Sequence, residues 1–255
     1  MAAGGAGGGG DRRARSAHCL VLDLDGTLID SCDVSVAHEL PFAGTPAAEP
    51  AHVTADGDAI FVRPHARDFL RFCERHCAAV GVWTKSGRAW ADAVVNGALK
   101  EHASSFSFVF AGDRCTTVAT GGGGGWRDGG GLPPELGGLP VGLDLGGTGQ
   151  TSIKRLRKVW NASSRRAAGF RKETTMIVED SPENCVANYG NALYISTYDV
   201  FSQPAAGPDD DQLLRLAHYL ASIAAEADVR RVEKRGWHRR VSLLPHAPLP
   251  PPGVP

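Results

Sequence analysis

Two carboxylates set two residues apart, Asp23 and Asp25, end the apolar run Cys19-Leu-Val-Leu and are followed by Gly26-Thr27. In an extended strand the side chains at i and i+2 share a face, so the pair points the same way, although the turn after it can spread them. Two close carboxylates repel each other, and a bound Mg²⁺ relieves the repulsion while taking the oxygen ligands it prefers. One carboxylate can act as a nucleophile that accepts a phosphoryl group, splitting a difficult hydrolysis into two displacements. The other can protonate the leaving oxygen and then activate water. The structural alternative is a solvated strand end running into an Asp-Gly turn.

Three further positions could serve the same chemistry. Thr84 follows the run Ala79-Val-Gly-Val-Trp and can donate a hydroxyl to a phosphoryl oxygen, or simply cap its strand. Lys154 can neutralise a nucleophile and phosphoryl oxygens as a point charge, or stand solvated at the start of a helix. Lys85, beside Thr84, joins these two as a candidate phosphate-binding residue. Glu179 and Asp180 follow Thr175-Met-Ile-Val and would complete a metal site with Asp23 and Asp25. Alternatively, Glu-Asp-Ser-Pro is a good turn and helix cap.

The elements that must position these groups alternate between strand and helix. Strands are expected at Cys19–Leu24, Ala79–Thr84, Phe106–Phe110, Thr175–Glu179 and Ala192–Ser196, and helices at Arg67–Arg75, Arg88–Lys100, Ser152–Trp160 and Glu183–Tyr189. A last helix follows Asp209-Asp-Asp, with Leu213, Leu216, Ala217, Leu220, Ile223, Ala224 and Ala227 at helical spacing. This order predicts an α/β, Rossmann-like fold: a mostly parallel sheet with helices on both faces. In such a sheet, ligands bind beyond the carboxyl ends of the strands, which is where the candidate residues fall.

The 255 residues suffice for one such domain. The domain is expected over 17–240, after a glycine- and arginine-rich arm at 1–16 and before a proline-rich tail at 241–255. Residues 119–150 are expected to form a flexible insertion, since 121–150 hold fourteen glycines in thirty residues. The net charge of −1 argues against a dedicated nucleic-acid binder. No apolar run reaches the roughly 18 residues of a membrane span. Six cysteines without CxxC or zinc spacing are expected to be reduced thiols. The start has no apolar secretory segment; Arg12, Arg13 and Arg15 give a weak signal for an organelle transit peptide.

Leu20-Val-Leu-Asp-Leu-Asp-Gly-Thr-Leu resembles the first motif of the haloacid dehalogenase superfamily. Val62-Arg-Pro-His-Ala-Arg-Asp-Phe-Leu with Gly81-Val-Trp-Thr, and Thr175-Met-Ile-Val-Glu-Asp-Ser-Pro-Glu-Asn-Cys, resemble the branch of small C-terminal-domain, NLI-interacting-factor-like phosphatases (the FCP1 homology branch). The resemblance spans roughly Ala17 to Trp237 outside the insertion. It implies Asp23 as nucleophile, Asp25 as acid/base, Thr84 and Lys154 as phosphate contacts, and Glu179 with Asp180 at a Mg²⁺ ion. Two positions depart from the branch, which usually has Glu in place of Gly26 and Asp in place of Glu179. For the second, either Glu179 reaches the metal through a changed geometry or water, or Asp180 takes over.

Only about thirty residues separate Leu28 from Ala59-Ile-Phe-Val, too few for an independent cap domain. The uncapped site favours a phosphoserine or phosphothreonine peptide substrate, hence a phosphoprotein partner. A monomer is expected, and the family implies the nucleus or cytoplasm. Two other readings remain at this stage: a catalytically silent protein-binding module, as in a mitochondrial translocase subunit of the same family, and a small-molecule phosphatase. Arg230, Arg231, Lys234, Arg235, Arg239 and Arg240 form a basic cluster that either steers an acidic substrate or is a solvated helix end.

Overall fold

The computed structural model describes residues 15–119, 150–201 and 210–241. Residues 1–14 of the expected N-terminal arm, 120–149 of the glycine-rich insertion and 242–255 of the proline-rich tail lie outside the described residues. The strands are β1 (Cys19–Leu22), β2 (Ile29–Asp33), β3 (His52–Val53), β4 (Asp58–Val62), β5 (Ala79–Trp83), β6 (Phe106–Phe110), β7 (Thr116–Ala119), β8 (Gln150–Ile153), β9 (Thr175–Glu179) and β10 (Ala192–Tyr194). The α-helices are α1 (Ala66–His76), α2 (Arg88–Ala93), α3 (Arg157–Trp160), α4 (Ser163–Ala167) and α5 (Gln212–Ser222).

Five strands form the central sheet in the order β10-β9-β1-β5-β6, all neighbours parallel. β1 lies at its centre, with Leu22 opposite Val82 on one side and Val178 on the other. Its unbroken apolar run reflects burial on both faces. Leu20 and Leu22 join the core built with Phe69 and Leu70 of α1 and Leu213 and Leu216 of α5. Cys19 and Val21 point to the opposite core, with Leu156, Val159 and Phe170. This is the expected α/β fold, and the five strands of the central sheet fall where the sequence predicts them.

The stretch between the first motif and α1 forms a three-stranded antiparallel sheet, β2-β4-β3, instead of a separate cap. It packs through Leu40, Ala59 and Phe61 against Tyr198 and Val200.

Several expected helices are shorter or of another kind. Ser152 and Ile153 belong to β8, which pairs antiparallel with β7, and helix begins only at Arg157. The two ends of the glycine-rich insertion thus meet as a hairpin base, including Ala119 and Gln150, where β-branched Thr116, Thr117, Val118, Thr151 and Ile153 suit the pleat. Glu183–Tyr189 lies in a 3₁₀ stretch, Pro182–Asn191, broken by the non-helical backbone of Asn188. The helix expected over Arg88–Lys100 is α2 followed by a π turn, Val94–Ala98. There Gly97 lets the chain press on the His52 ring, which an added Cβ would meet at 2.6 Å. The last helix stops at Ser222, short of Ala227. The basic cluster therefore lies beyond it, in two 3₁₀ turns and the segment that joins them, and is not the end of that helix. All six cysteines are free. Among the described residues no helix is long and apolar enough to cross a membrane.

Candidate active site

Asp23 stands one residue past β1, its backbone N–H donating to the Val178 carbonyl, so it is fixed at the carboxyl edge of the sheet. Leu24 to Ile29 then turn tightly, with the Leu24 carbonyl accepting from Thr27, Leu28 and Ile29. Gly26 has φ +72°, a left-handed conformation that strains other residues. A Cβ there would meet Asp180 Oδ2 at 2.5 Å. A glycine is therefore what lets Asp180 approach this turn.

Arg63, which is 1% exposed, holds the turn from behind. Its Nη1 donates to the carbonyls of Gly26 and Thr27 at 3.4 and 3.3 Å, while Nε and Nη2 reach Asp210 at 2.9 Å each. Asp210 in turn accepts from Gln212 N–H at the start of α5. The closing helix is thereby tied to the loop that carries Asp25.

Thr84 follows β5 and accepts from the backbone of Ser86. Gly112 packs directly under this segment; a Cβ there would lie 2.4 Å from the Lys85 carbonyl. Lys154 follows β8, not the start of a helix as expected. Its N–H donates to the Asn184 carbonyl, and Asn188 takes its carbonyl through Nδ2. The 3₁₀ stretch thus anchors the insertion's return strand to the site.

These elements bring the predicted residues into two adjoining groups. In the first, fully buried Lys154 places Nζ 2.6 Å from Asp23 Oδ1 and 2.7 Å from Glu179 Oε2. The other Glu179 oxygen, Oε1, accepts from Asn184 Nδ2 at 2.9 Å. Carboxylate oxygens of Asp23, Glu179 and Asp180 lie within 4.8 Å of one another. In the second group, Asp25 Oδ2 accepts from Thr84 Oγ1 at 2.8 Å and Ser86 Oγ at 3.0 Å, and Asp25 Oδ1 from Trp90 Nε1 at 2.6 Å. Asp25 is thus held by these donors, outside the cluster of Asp23, Glu179 and Asp180. Lys85 Nζ donates to Asn184 Oδ1 at 2.9 Å, on the rim of the same cleft.

The electrostatics follow from one ammonium between two buried carboxylates. Burial works against the Lys154 charge, but Asp23 and Glu179 outweigh it and hold its pKa above the ordinary value. Burial, reinforced by the Asp23 charge, pushes Glu179 up to about 9 despite Lys154. Burial and Asp23 also raise Asp180, against the hydrogen bond from Thr197.

The cleft measures about 360 Å³ and is lined by Asp23, Asp25, Asp30, Asp180 and Asp199, with Lys85 as its lysine. A phosphate dianion entering so acidic a cleft requires cationic compensation. An all-oxygen donor set of clustered carboxylates suits Mg²⁺. Asp23 and Asp180 are the better-disposed ligands, since both Glu179 oxygens already have protein partners. The residues present therefore fit the ion.

Ser86, Trp90, Asn184 and Arg63 are site residues that the sequence did not single out. Ser86 and Trp90 meet Asp25, Asn184 meets Lys85, and Arg63 meets Gly26 and Asp210 across 37 to 147 positions, contacts that no local spacing encodes; only the Asn184–Glu179 bond is local, five positions apart. Arg230, Arg231, Lys234 and Arg235 of the basic cluster line a second cavity, of about 470 Å³, with Tyr189, Tyr194 and Trp237. Much of its charge is already answered: Arg230 pairs with Asp228 and Glu173, Arg235 with Glu233, and Lys234 donates to three backbone carbonyls.

Comparison with curated proteins gave no match. Among solved structures the chain resembles Fcp1, described as an essential RNA polymerase II CTD phosphatase, at 14% identity and a TM-score of 0.42. It also resembles a variant of the fission yeast Fcp1 bound to beryllium fluoride, at 14% identity and a TM-score of 0.38. Both alignments cover 86% of this chain but 59% of the other. The sequence model of the NLI interacting factor-like phosphatases matches residues 18–124 and 146–230, most of the protein. The chain belongs to the NLI interacting factor-like phosphatase family.

Proposed function

We propose that the protein is a Mg²⁺-dependent protein serine/threonine phosphatase that works through an aspartyl-phosphate on Asp23. The observation that carries this reading is Lys154 between Asp23 and Glu179, with Asp180 beside them and Asp25 two residues on. An Asp23 oxygen attacks phosphorus, the bond to the seryl or threonyl oxygen breaks, and Asp25 gives that oxygen its proton. Asp25 then takes a proton from water, whose oxygen attacks the aspartyl-phosphate and releases inorganic phosphate and free Asp23. Lys154 orients Asp23 and meets the charge of the phosphoryl oxygens, with Thr84 and Lys85 as further contacts. Asp23 and Asp180 would hold Mg²⁺, which when bound offsets the repulsion between phosphate and carboxylates; Glu179 orients Lys154.

A peptide substrate is favoured because β2, β3 and β4 form only a small sheet beside the cleft, leaving space for an extended chain. The test compares kcat/KM for phosphoserine and phosphothreonine peptides with that for sugar and nucleotide phosphates. Higher values for the peptides support the substrate class; much higher values for the small phosphates would sink it. A second reading, a silent binding module, draws on the engagement of both Glu179 oxygens. It predicts a folded protein that hydrolyses none of these.

A further inference from the structure

We infer that Trp90 is a positioning residue for Asp25, fixing which of its two oxygens faces the reaction; this rests on the acid/base role proposed above for Asp25. Oδ2 receives two hydroxyl donors, Thr84 at 2.8 Å and Ser86 at 3.0 Å, which fill its two lone-pair directions. Oδ1 receives a single donor, the Trp90 indole at 2.6 Å, and so keeps one direction open for a proton. Thr84 has one hydrogen and must withdraw it from Asp25 to bind a phosphoryl oxygen. The indole N–H has no such second use, so its bond to Oδ1 can last through the cycle.

Trp90 itself is half-buried against the main core and is not among the residues lining the cleft. Its indole N–H is given to Asp25, so the role inferred for it is to orient that carboxylate. Its helix and the turn after it are well anchored: Ala91 and Val94 are fully buried, and Arg88 Nη1 donates to the Val109 carbonyl at 3.1 Å. By contrast, the Trp237 indole donates to a backbone carbonyl, that of Tyr194.

The test uses the full chain. Trp90→Phe keeps an aromatic ring and removes the donor. It is expected to lower kcat for a phosphoserine peptide roughly 10- to 100-fold, the range set by one hydrogen bond to a charged group. KM should stay within about twofold, as a role exercised through Asp25 requires. The loss should be smaller for p-nitrophenyl phosphate, whose leaving group departs without a proton.

In a ¹⁵N–¹H spectrum the five tryptophans give five indole signals, and the one absent from Trp90→Phe is Trp90. Asp25→Ala should move that signal upfield while the other four stay in place. An unmoved Trp90 signal would overturn the inference, as would an unchanged kcat in a folded Trp90→Phe. If Trp90→Phe does not fold, Trp90 is assigned by elimination from the other Trp→Phe variants, and the Asp25→Ala spectrum decides. A folded wild type that hydrolyses no phosphate ester removes the acid/base reading itself, and that is seen before any variant is made.

Discussion

Replacing Lys154 with methionine should reveal how strongly the site leans on one buried cation. The ammonium is fully buried and touches two carboxylates, at 2.6 and 2.7 Å. Removing one partner of a buried ion pair costs about 3–5 kcal/mol, mainly from the charge left behind. Glu179 lightens that cost, since its pKa is already pushed up to about 9 and it can remain protonated beside Asp23. We therefore expect the lower end, about 3 kcal/mol. For a domain of this size that corresponds to roughly a 6–12 °C fall in Tm. The assay is a thermal melt in EDTA at neutral pH, with Asp23→Asn and the double variant alongside. The double variant should melt above Lys154→Met, because it no longer buries the unpaired Asp23 charge. A Lys154→Met melt within 2 °C of wild type, or strictly additive effects, would refute the reasoning.

The remaining expectations concern the turn, its support and its titration. Gly26→Glu, which introduces the branch's usual residue, should cost about 1–2 kcal/mol in backbone strain at φ +72°. It should also raise the Mg²⁺ concentration for half-maximal activity by displacing Asp180, as a metal titration would show. Arg63→Met should lower stability by about 3 kcal/mol by stranding Asp210 in the interior, as read from urea denaturation. A loss below about 1 kcal/mol would mean that the turn is held by other contacts. Glu179 makes stability fall as pH rises. The unfolded chain ionises it near its ordinary 4.5, the folded one near 9, so the unfolded state binds fewer protons between those values. Its contribution is complete below 4.5 and lost on the way to 9; melts in EDTA from pH 5 to 8 should fall less steeply for Glu179→Gln than for wild type.

Much of the architecture is legible because burial on two faces writes itself into the chain. Cys19-Leu-Val-Leu and Thr175-Met-Ile-Val read as central strands since each alternate side chain feeds a different core. Carboxylates placed directly after such runs, Asp23 and Glu179–Asp180, must then reach the same sheet edge. The identity of Lys154 is legible, but not its element. β7 and β8 are four residues each and close around a glycine-rich stretch, so their pairing leaves no periodicity to read. The 3₁₀ stretch at Pro182–Asn191 is set by tertiary hydrogen bonds, with Asn188 turned to Lys154 and Leu156. Trp90 and Ser86 are hidden for a similar reason: their role exists only once β5 and the turn at Asp25 lie side by side.

The most direct test of the central claim is hydrolysis of p-nitrophenyl phosphate with and without Mg²⁺, by wild type and by Asp23→Asn. The account predicts activity that requires Mg²⁺ and vanishes in Asp23→Asn, while the variant keeps its fold. Activity that survives in Asp23→Asn, or a folded wild type with none, would contradict it.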